Sequence, residues 1–480
     1  MAQEIIGRAK EKKELQDLYD SGRPEFVVVQ GRRRIGKTFL VRETFEGEFS
    51  FYHTGLSPAE TRTEDKTVLK IQLESFYSSL VRFGYSGGMP GGWLQAFDIL
   101  IKLLEGLGTT KRQVVFIDEM PWMDTPRSGF VTALEHFWNG WGAGRSNLML
   151  IVCGSAASWL ADKIINSKGG LYNRTTFEIK LRPFTLKECE AFYASRQIEM
   201  DRYDQMQSYM IMGGIPYYLS LLRKDRSLAQ NIDDLFFAKN AQLNQEFDRL
   251  FNSLFSNPDF NKQIVRMIGG KRSGVTRKEI VGKSDISSGG NLTTALKVLM
   301  ASDFIETYSQ YKGSKTDVCY KLSDSFCLFY LYFMDKDKTT NEHFWQDNLH
   351  SSSLNAWRGY AFENVCFSHV WEIKNALGIT GVQTEVMPWQ SRQKEDGAQI
   401  DMVIDRADRV INICEMKFSV DDFVITKSYD KVLRHKLDLF SEETKCRGSL
   451  HLTMITTYGL SANEYSGKVQ NVITMDDFFK

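Results

Sequence analysis

Two hydrophobic periods divide this chain. Short unbroken apolar runs, bounded by small or polar residues, read as strands buried on both faces. Three stand out early: Phe26-Val27-Val28-Val29-Gln30, Gln113-Val114-Val115-Phe116-Ile117 and Leu148-Met149-Leu150-Ile151-Val152-Cys153. Between them the apolar positions return at helical spacing: Glu11 to Tyr19, a helix opening at Phe39, most of Thr67 to Gly106, and Val131 to Trp138. Gly84 to Gly92 interrupts the third stretch as a glycine-rich surface loop. Strands that alternate with helices make a parallel-sheet α/β fold the expected class. Further on, Asn173 to Leu181 alternates like a strand, Pro183-Phe184-Thr185 caps a helix, and Met212 to Tyr218 forms a turn that opens another.

The pattern changes near Asn257-Pro258. Short helices are expected at Lys262 to Ile268, at Thr276 to Val281 and at Asn291 to Met300. Thr276 followed by Glu279 is a capping box. Phe304 to Tyr308 and Val318 to Leu322 then read as two strands around Lys312-Gly313-Ser314-Lys315. Three helices and a hairpin in that order predict a winged helix-turn-helix. Between Pro258 and Tyr330 eleven Lys and Arg stand against seven Asp and Glu, an excess of four that permits DNA contact through the wing. The third helix offers only Asn291, Thr293, Thr294 and Lys297 as readers of bases. A domain used only for packing would show the same pattern.

The first strand runs into Gly31-Arg32-Arg33-Arg34-Ile35-Gly36-Lys37-Thr38, two glycines separated by four residues and followed by Lys-Thr. A strand, this loop and a helix form the cradle that holds nucleoside triphosphate phosphates on backbone N–H groups. Gly31, Arg34 and Gly36 shape the loop. Lys37 is expected on the β- and γ-phosphates, and the Thr38 hydroxyl on Mg²⁺. The second strand ends in Asp118-Glu119. Asp118 is expected to hold Mg²⁺ through water, and Glu119 to polarise the attacking water. An ordinary buried strand with a solvated acidic turn would look the same, and the upstream loop tips the reading toward catalysis. Ser155, just past the third strand, is either a sensor of the γ-phosphate or a simple strand terminus.

A second constellation lies in the last third. Ile400 to Asp405 and Val410 to Phe418 read as a β-hairpin joined by Arg406-Ala407-Asp408-Arg409. Glu415 and Lys417 are two apart and share a face of their strand. Asp401 opens the partner strand. Two carboxylates can hold Mg²⁺ or Mn²⁺, and a lysine can orient or activate water against a phosphodiester. Glu363, among apolar neighbours on the helix that Trp357 opens, is a candidate to join them. A plain exposed Glu/Lys strand pair is the competing reading.

Composition narrows the setting. With 480 residues the chain is long enough for about three domains. No apolar run approaches the ~20 residues of a spanning helix, and the start lacks a signal-peptide pattern. The seven cysteines are scattered without CxxC pairs and read as reduced thiols, with no zinc site expected. A cytoplasmic protein without a membrane partner is expected. Sixty basic and sixty acidic residues cancel, so only local patches bear on nucleic acid.

Taken together, these residues resemble the archaeal-type P-loop ATPases of the AAA-like and STAND group, also found in bacteria, which carry a C-terminal domain related to PD-(D/E)XK nucleases. Ile6-Gly7-Arg8 with Glu11, the triple-arginine loop, Ile117-Asp118-Glu119, Gly154-Ser155, Asn173-Arg174-Thr175 and Gly214-Ile215-Pro216 are similar to its ATPase motifs. Arg358 to Glu363, Asp401 and Glu415-Met416-Lys417 are similar to its nuclease motifs. The resemblance implies that Arg174 lies near the phosphates and that Pro216 packs against the adenine. It implies a P-loop core over 1–185, a helical lid over 186–255, a winged helix over 256–335 and a restriction-endonuclease-like α/β domain over 336–480. The expected function is ATP binding and hydrolysis coupled to DNA binding or cleavage. The rival is a nucleotide-switched scaffold, self-associating as a homo-oligomer, whose nuclease fold only binds.

Overall fold

β1 (Glu25–Gly31) is buried along its whole length, as its unbroken valine run requires. The other strands of its sheet are β2 (Phe49–Thr54), β3 (Gln113–Asp118), β4 (Leu148–Gly154) and β5 (Phe177–Leu181). The computed structural model describes residues 5–57, 65–155, 157–166, 169–282, 286–313, 318–335, 341–393 and 396–480. The sheet runs in the order β2-β3-β4-β1-β5, and every neighbouring pair is parallel. Helices Asp65–Arg82, Trp93–Gly106 and Phe130–Gly140 supply Phe76, Trp93, Phe97, Phe130 and Phe137 to a core shared with Phe26, Val28, Val115 and Leu150 of the strands. The expected strand at Asn173 begins only at Phe177. Asn173 takes a left-handed backbone (φ 52), which ends any extended run there.

Two compact units divide the chain: 1–183 with 248–261 and 297–303, and 184–247 with 262–296 and 304–480. The first holds the parallel sheet. In the second, β6 (Val275–Thr276), β7 (Ile305–Tyr308) and β8 (Cys319–Leu322) form a small antiparallel sheet in the order β6-β8-β7. Thr276 and Glu279 make the expected capping box: each backbone N–H donates to the other's side chain, at 2.8 and 3.2 Å. β9 (Thr384–Gln390), β10 (Gln399–Arg406), β11 (Val410–Lys417), β12 (Ser449–Thr456) and β13 (Asn471–Thr474) form a mixed sheet in the order β13-β12-β11-β10-β9. β9, β10 and β11 are antiparallel, whereas β12 and β13 follow β11 in parallel. Helix Lys427–Thr444 makes the β11–β12 crossover, and its Leu439 and Phe440 pack with Ile400, Val403, Ile411 and Ile413 of the sheet. Among the described residues, no helix is long and apolar enough to cross a membrane.

Candidate functional site

The end of β1 turns sharply into helix Lys37–Thr44. Gly36 caps that helix at φ 92, a conformation that costs a side chain dearly. Gly31 is required for a different reason: a Cβ there would stand 2.6 Å from the Leu181 carbonyl oxygen on β5. Arg34 also holds a positive φ of 71 in the loop. Lys37 is buried beneath the loop, and its ammonium donates to the carbonyls of Gly31 at 2.9 Å and Arg32 at 3.1 Å. The Thr38 hydroxyl donates to Asp118 Oδ2 at 2.8 Å, so β3 and the loop meet as the two motifs require. Arg8, from the segment before the first helix, is buried and donates to the Arg182 carbonyl at 2.6 Å.

Asp118 is closely held. Its Oδ1 accepts from the Glu119 N–H at 2.9 Å and from the Cys153 thiol on β4. Burial raises its carboxyl, against the Cys153 and Thr38 hydrogen bonds that favour the charged form. Glu119 sits in the left-handed region (φ 47). Its Oε2 accepts from the Ser155 N–H at 3.1 Å and its Oε1 from the Ser155 hydroxyl. Ser155 therefore engages Glu119 through the neighbouring strand. Arg174 is exposed, and Pro216 belongs to the second unit, where it opens helix Pro216–Leu219 behind the left-handed Gly213 and Gly214. A Cβ at Gly214 would stand 2.3 Å from the Phe184 carbonyl, which fixes glycine at that turn.

The second constellation also assembles. β10 faces β11 with Met402 opposite Cys414, so Asp401 and Glu415 approach at the next pair. Glu415 is almost completely buried. Its Oε1 accepts from Lys417 Nζ at 2.8 Å and from the Tyr429 hydroxyl at 2.6 Å, and its Oε2 from Lys436 Nζ at 2.6 Å. Burial acts to raise its pKa, but the two ammonium groups outweigh it and the carboxylate stays charged. Asp401 accepts from the Met416 N–H at 3.1 Å. Burial, then the charges of Glu415 and Glu363, push its carboxyl up to about 7. Glu363, on helix Ser352–Ser368, is raised by burial against the pull of Lys321, Arg272 and Lys417. Lys321 is lowered by burial, and Glu363 and Asp401 oppose that shift.

Sequence reasoning missed Lys436, Tyr429 and Lys321 in this cluster. Lys312, in the wing, is exposed, and its ammonium donates to the Thr444 carbonyl at 2.7 Å. Lys315 lies outside the described residues. Of the expected base readers, Thr293 accepts from Arg277 at 2.8 Å and Lys297 pairs with Asp162 at 2.6 Å. Among the described residues, no group of three or more His, Cys, Asp or Glu side chains is arranged to hold a metal ion.

Residues 6–222 match the family described as an ATPase domain predominantly from Archaea. This part of the chain, with its phosphate loop and the Asp118–Glu119 strand end, is similar to that ATPase family. An uncharacterised protein of Methanocaldococcus jannaschii is 23% identical over 409 residues, 83% of this chain and 84% of that one. The Walker-type ATPase of Pyrococcus abyssi shares 18% identity at a TM-score of 0.46, over 68% of this chain and 96% of its own. The ORC2 protein of Aeropyrum pernix, solved with ADPNP and ADP, shares 15% at 0.40, over 69% and 94%.

Proposed function

We propose that the chain binds and hydrolyses ATP with Mg²⁺ and uses it to regulate nucleic-acid processing by its C-terminal half. The observation that carries the first part is the Thr38–Asp118 hydrogen bond beside buried Lys37. Threonine and aspartate oxygens are hard donors that suit Mg²⁺. The ion would neutralise charge developing on the phosphates, Lys37 would bind them, and Glu119, once released from Ser155, would orient the attacking water. Arg174 and Pro216 are proposed partners of the phosphates and the base. The processing half would comprise the winged helix over 256–335, which follows the helical lid over 186–255, and the nuclease-like domain over 336–480. There Asp401, Glu415 and Glu363 form the acid set, and Lys417 stands beside the scissile phosphate. DNA is the proposed substrate.

One observation favours a second reading. Both Glu415 oxygens are taken by Lys417, Lys436 and Tyr429. A carboxylate already neutralised by the protein suits a domain that binds without cutting, switched by nucleotide. One experiment separates the two. Plasmid is incubated with Mg²⁺ or Mn²⁺, with and without ATP, using wild type and Asp401→Asn. Cutting that Asp401→Asn abolishes supports the nuclease. Intact plasmid, with ATP-dependent self-association, supports the switch.

A further inference from the structure

In the second unit, away from the acid cluster, the β7–β8 hairpin meets one end of the mixed sheet. The Tyr311 N–H donates to the Pro388 carbonyl at 3.1 Å, and its ring lies 5.1 Å from that of Phe440. Beside this contact is a cavity of about 390 Å³. Five cationic side chains line it: Lys312 from the hairpin, Arg406 at the end of β10, Arg409 from the β10–β11 turn, and Lys445 and Arg447 from the loop after helix Lys427–Thr444. The lining holds one carboxylate, Asp405, which accepts from the Tyr311 hydroxyl at 3.0 Å.

The charges are unevenly used. Lys312 is spent on the helix C-terminus at Thr444, where a cation is favoured. Arg406 pairs with Asp408. Arg409, Lys445 and Arg447 are exposed, and none of them has an ion-pair partner among the described residues. Lys312, Arg409 and Lys445 hold φ of 50, 70 and 47. Left-handed backbone is disfavoured for a residue with a side chain, so glycine would be the easier choice at each turn. Two of these turns, at Arg409 and Lys445, thus bring cations without an ion-pair partner among the described residues to the lining of one cavity. β11 carries Ile411 of this cavity near one end and Lys417 at the other. At roughly 3.3 Å per residue the two sites stand ~20 Å apart.

We infer that this cavity is an anion site for a phosphate-bearing ligand, either the backbone of a nucleic-acid strand or a free polyphosphate. Only the first source rests on the processing reading above. The test uses the full chain saturated with ADP, so that the P-loop is filled. A labelled 12-nucleotide single strand is titrated by anisotropy at ~50–200 mM salt, and pyrophosphate by calorimetry, with wild type and with R409A/K445A/R447A. The three residues are exposed, so the thermal midpoint and ATP turnover should be unchanged. If the strand is the ligand, the triple variant loses at least about tenfold in affinity, and its salt slope falls by about 2, near 0.7 for each lost phosphate contact. If pyrophosphate alone binds, and only to wild type, the ligand is a free polyphosphate. The inference is overturned if neither binds at ~50 mM salt, or if the triple variant matches wild type for whichever does. Plasmid cutting is scored in parallel. Strand binding that the triple variant loses, with no cutting by wild type, removes the nuclease reading and leaves this site standing.

Discussion

Lys37 is buried under the phosphate loop, its ammonium held there by two backbone carbonyls. Lys37→Ala should therefore abolish nucleotide binding while the loop keeps its shape, since the glycines set that shape. Fluorescent-nucleotide titration checks this, and wild-type affinity would refute the role. Glu119→Gln should keep binding and lose turnover, because an amide can still accept from Ser155 but cannot act as a base. Both residues were legible because their motifs are contiguous and follow buried strands. Lys436 and Tyr429 were not. They reach Glu415 only because helix Lys427–Thr444 crosses the sheet with Tyr429, Leu433, Lys436 and Phe440 along one side, a relation set by tertiary packing. Lys436→Met leaves a buried carboxylate one cation short. Chemical denaturation should show a loss of about 3 kcal/mol, the cost of breaking a buried pair from one side. A loss below about 1 kcal/mol would mean that Glu415 is screened by water instead.

At the scale of elements, the long apolar strands β1, β3 and β4 were readable, and the strands of mixed pattern were not. β2 escaped notice because Phe49-Ser50-Phe51-Tyr52-His53-Thr54 buries only alternate residues, Phe51 and His53, at the edge of its sheet. β12 and β13 escaped because their pairing to β11 spans the whole crossover helix. The hairpin strands β7 and β8 were legible, but the docking of their connection was not. Tyr311 reads as a loop residue, and only its place beside Phe440 and Asp405 explains its burial. Local caps are more secure ground, because both partners lie within one turn. Thr276→Ala removes the acceptor for the Glu279 N–H and should cost about 1 kcal/mol. The denaturation midpoint should fall with an unchanged slope, and Thr276→Ser should restore most of it.

The charges of the whole molecule cancel, so its pH dependence rests on particular buried groups. One such histidine lies in each unit. His53 sits on β2, its Nδ1 2.9 Å from the Ser79 hydroxyl, and burial lowers its pKa to about 3. His369 accepts from the Leu186 N–H at its Nε2 and stands 3.0 Å from the Val365 carbonyl at its Nδ1, and burial lowers it to about 4. Above pH ~6.5 both are neutral whether the chain is folded or not, and they contribute no pH dependence. Between ~6.5 and those lowered values, the unfolded chain binds a proton at each histidine and the folded chain does not. Each histidine should therefore lower stability as pH falls, by up to about tenfold in the folding equilibrium per pH unit. The raised Asp401 carboxyl, protonated in the folded chain below about 7 and charged in the unfolded chain down to ~4, acts in the opposite sense. Denaturant unfolding at steps from pH 7 to 4.5 measures this. His53→Phe should remove about one proton from the acid-limb slope of the unit that holds the parallel sheet, and His369→Phe should do the same for the other unit. Equal slopes in wild type and variants would mean that the imidazoles take up protons in the folded state, which the hydrogen bond from Leu186 to His369 Nε2 forbids as long as it persists.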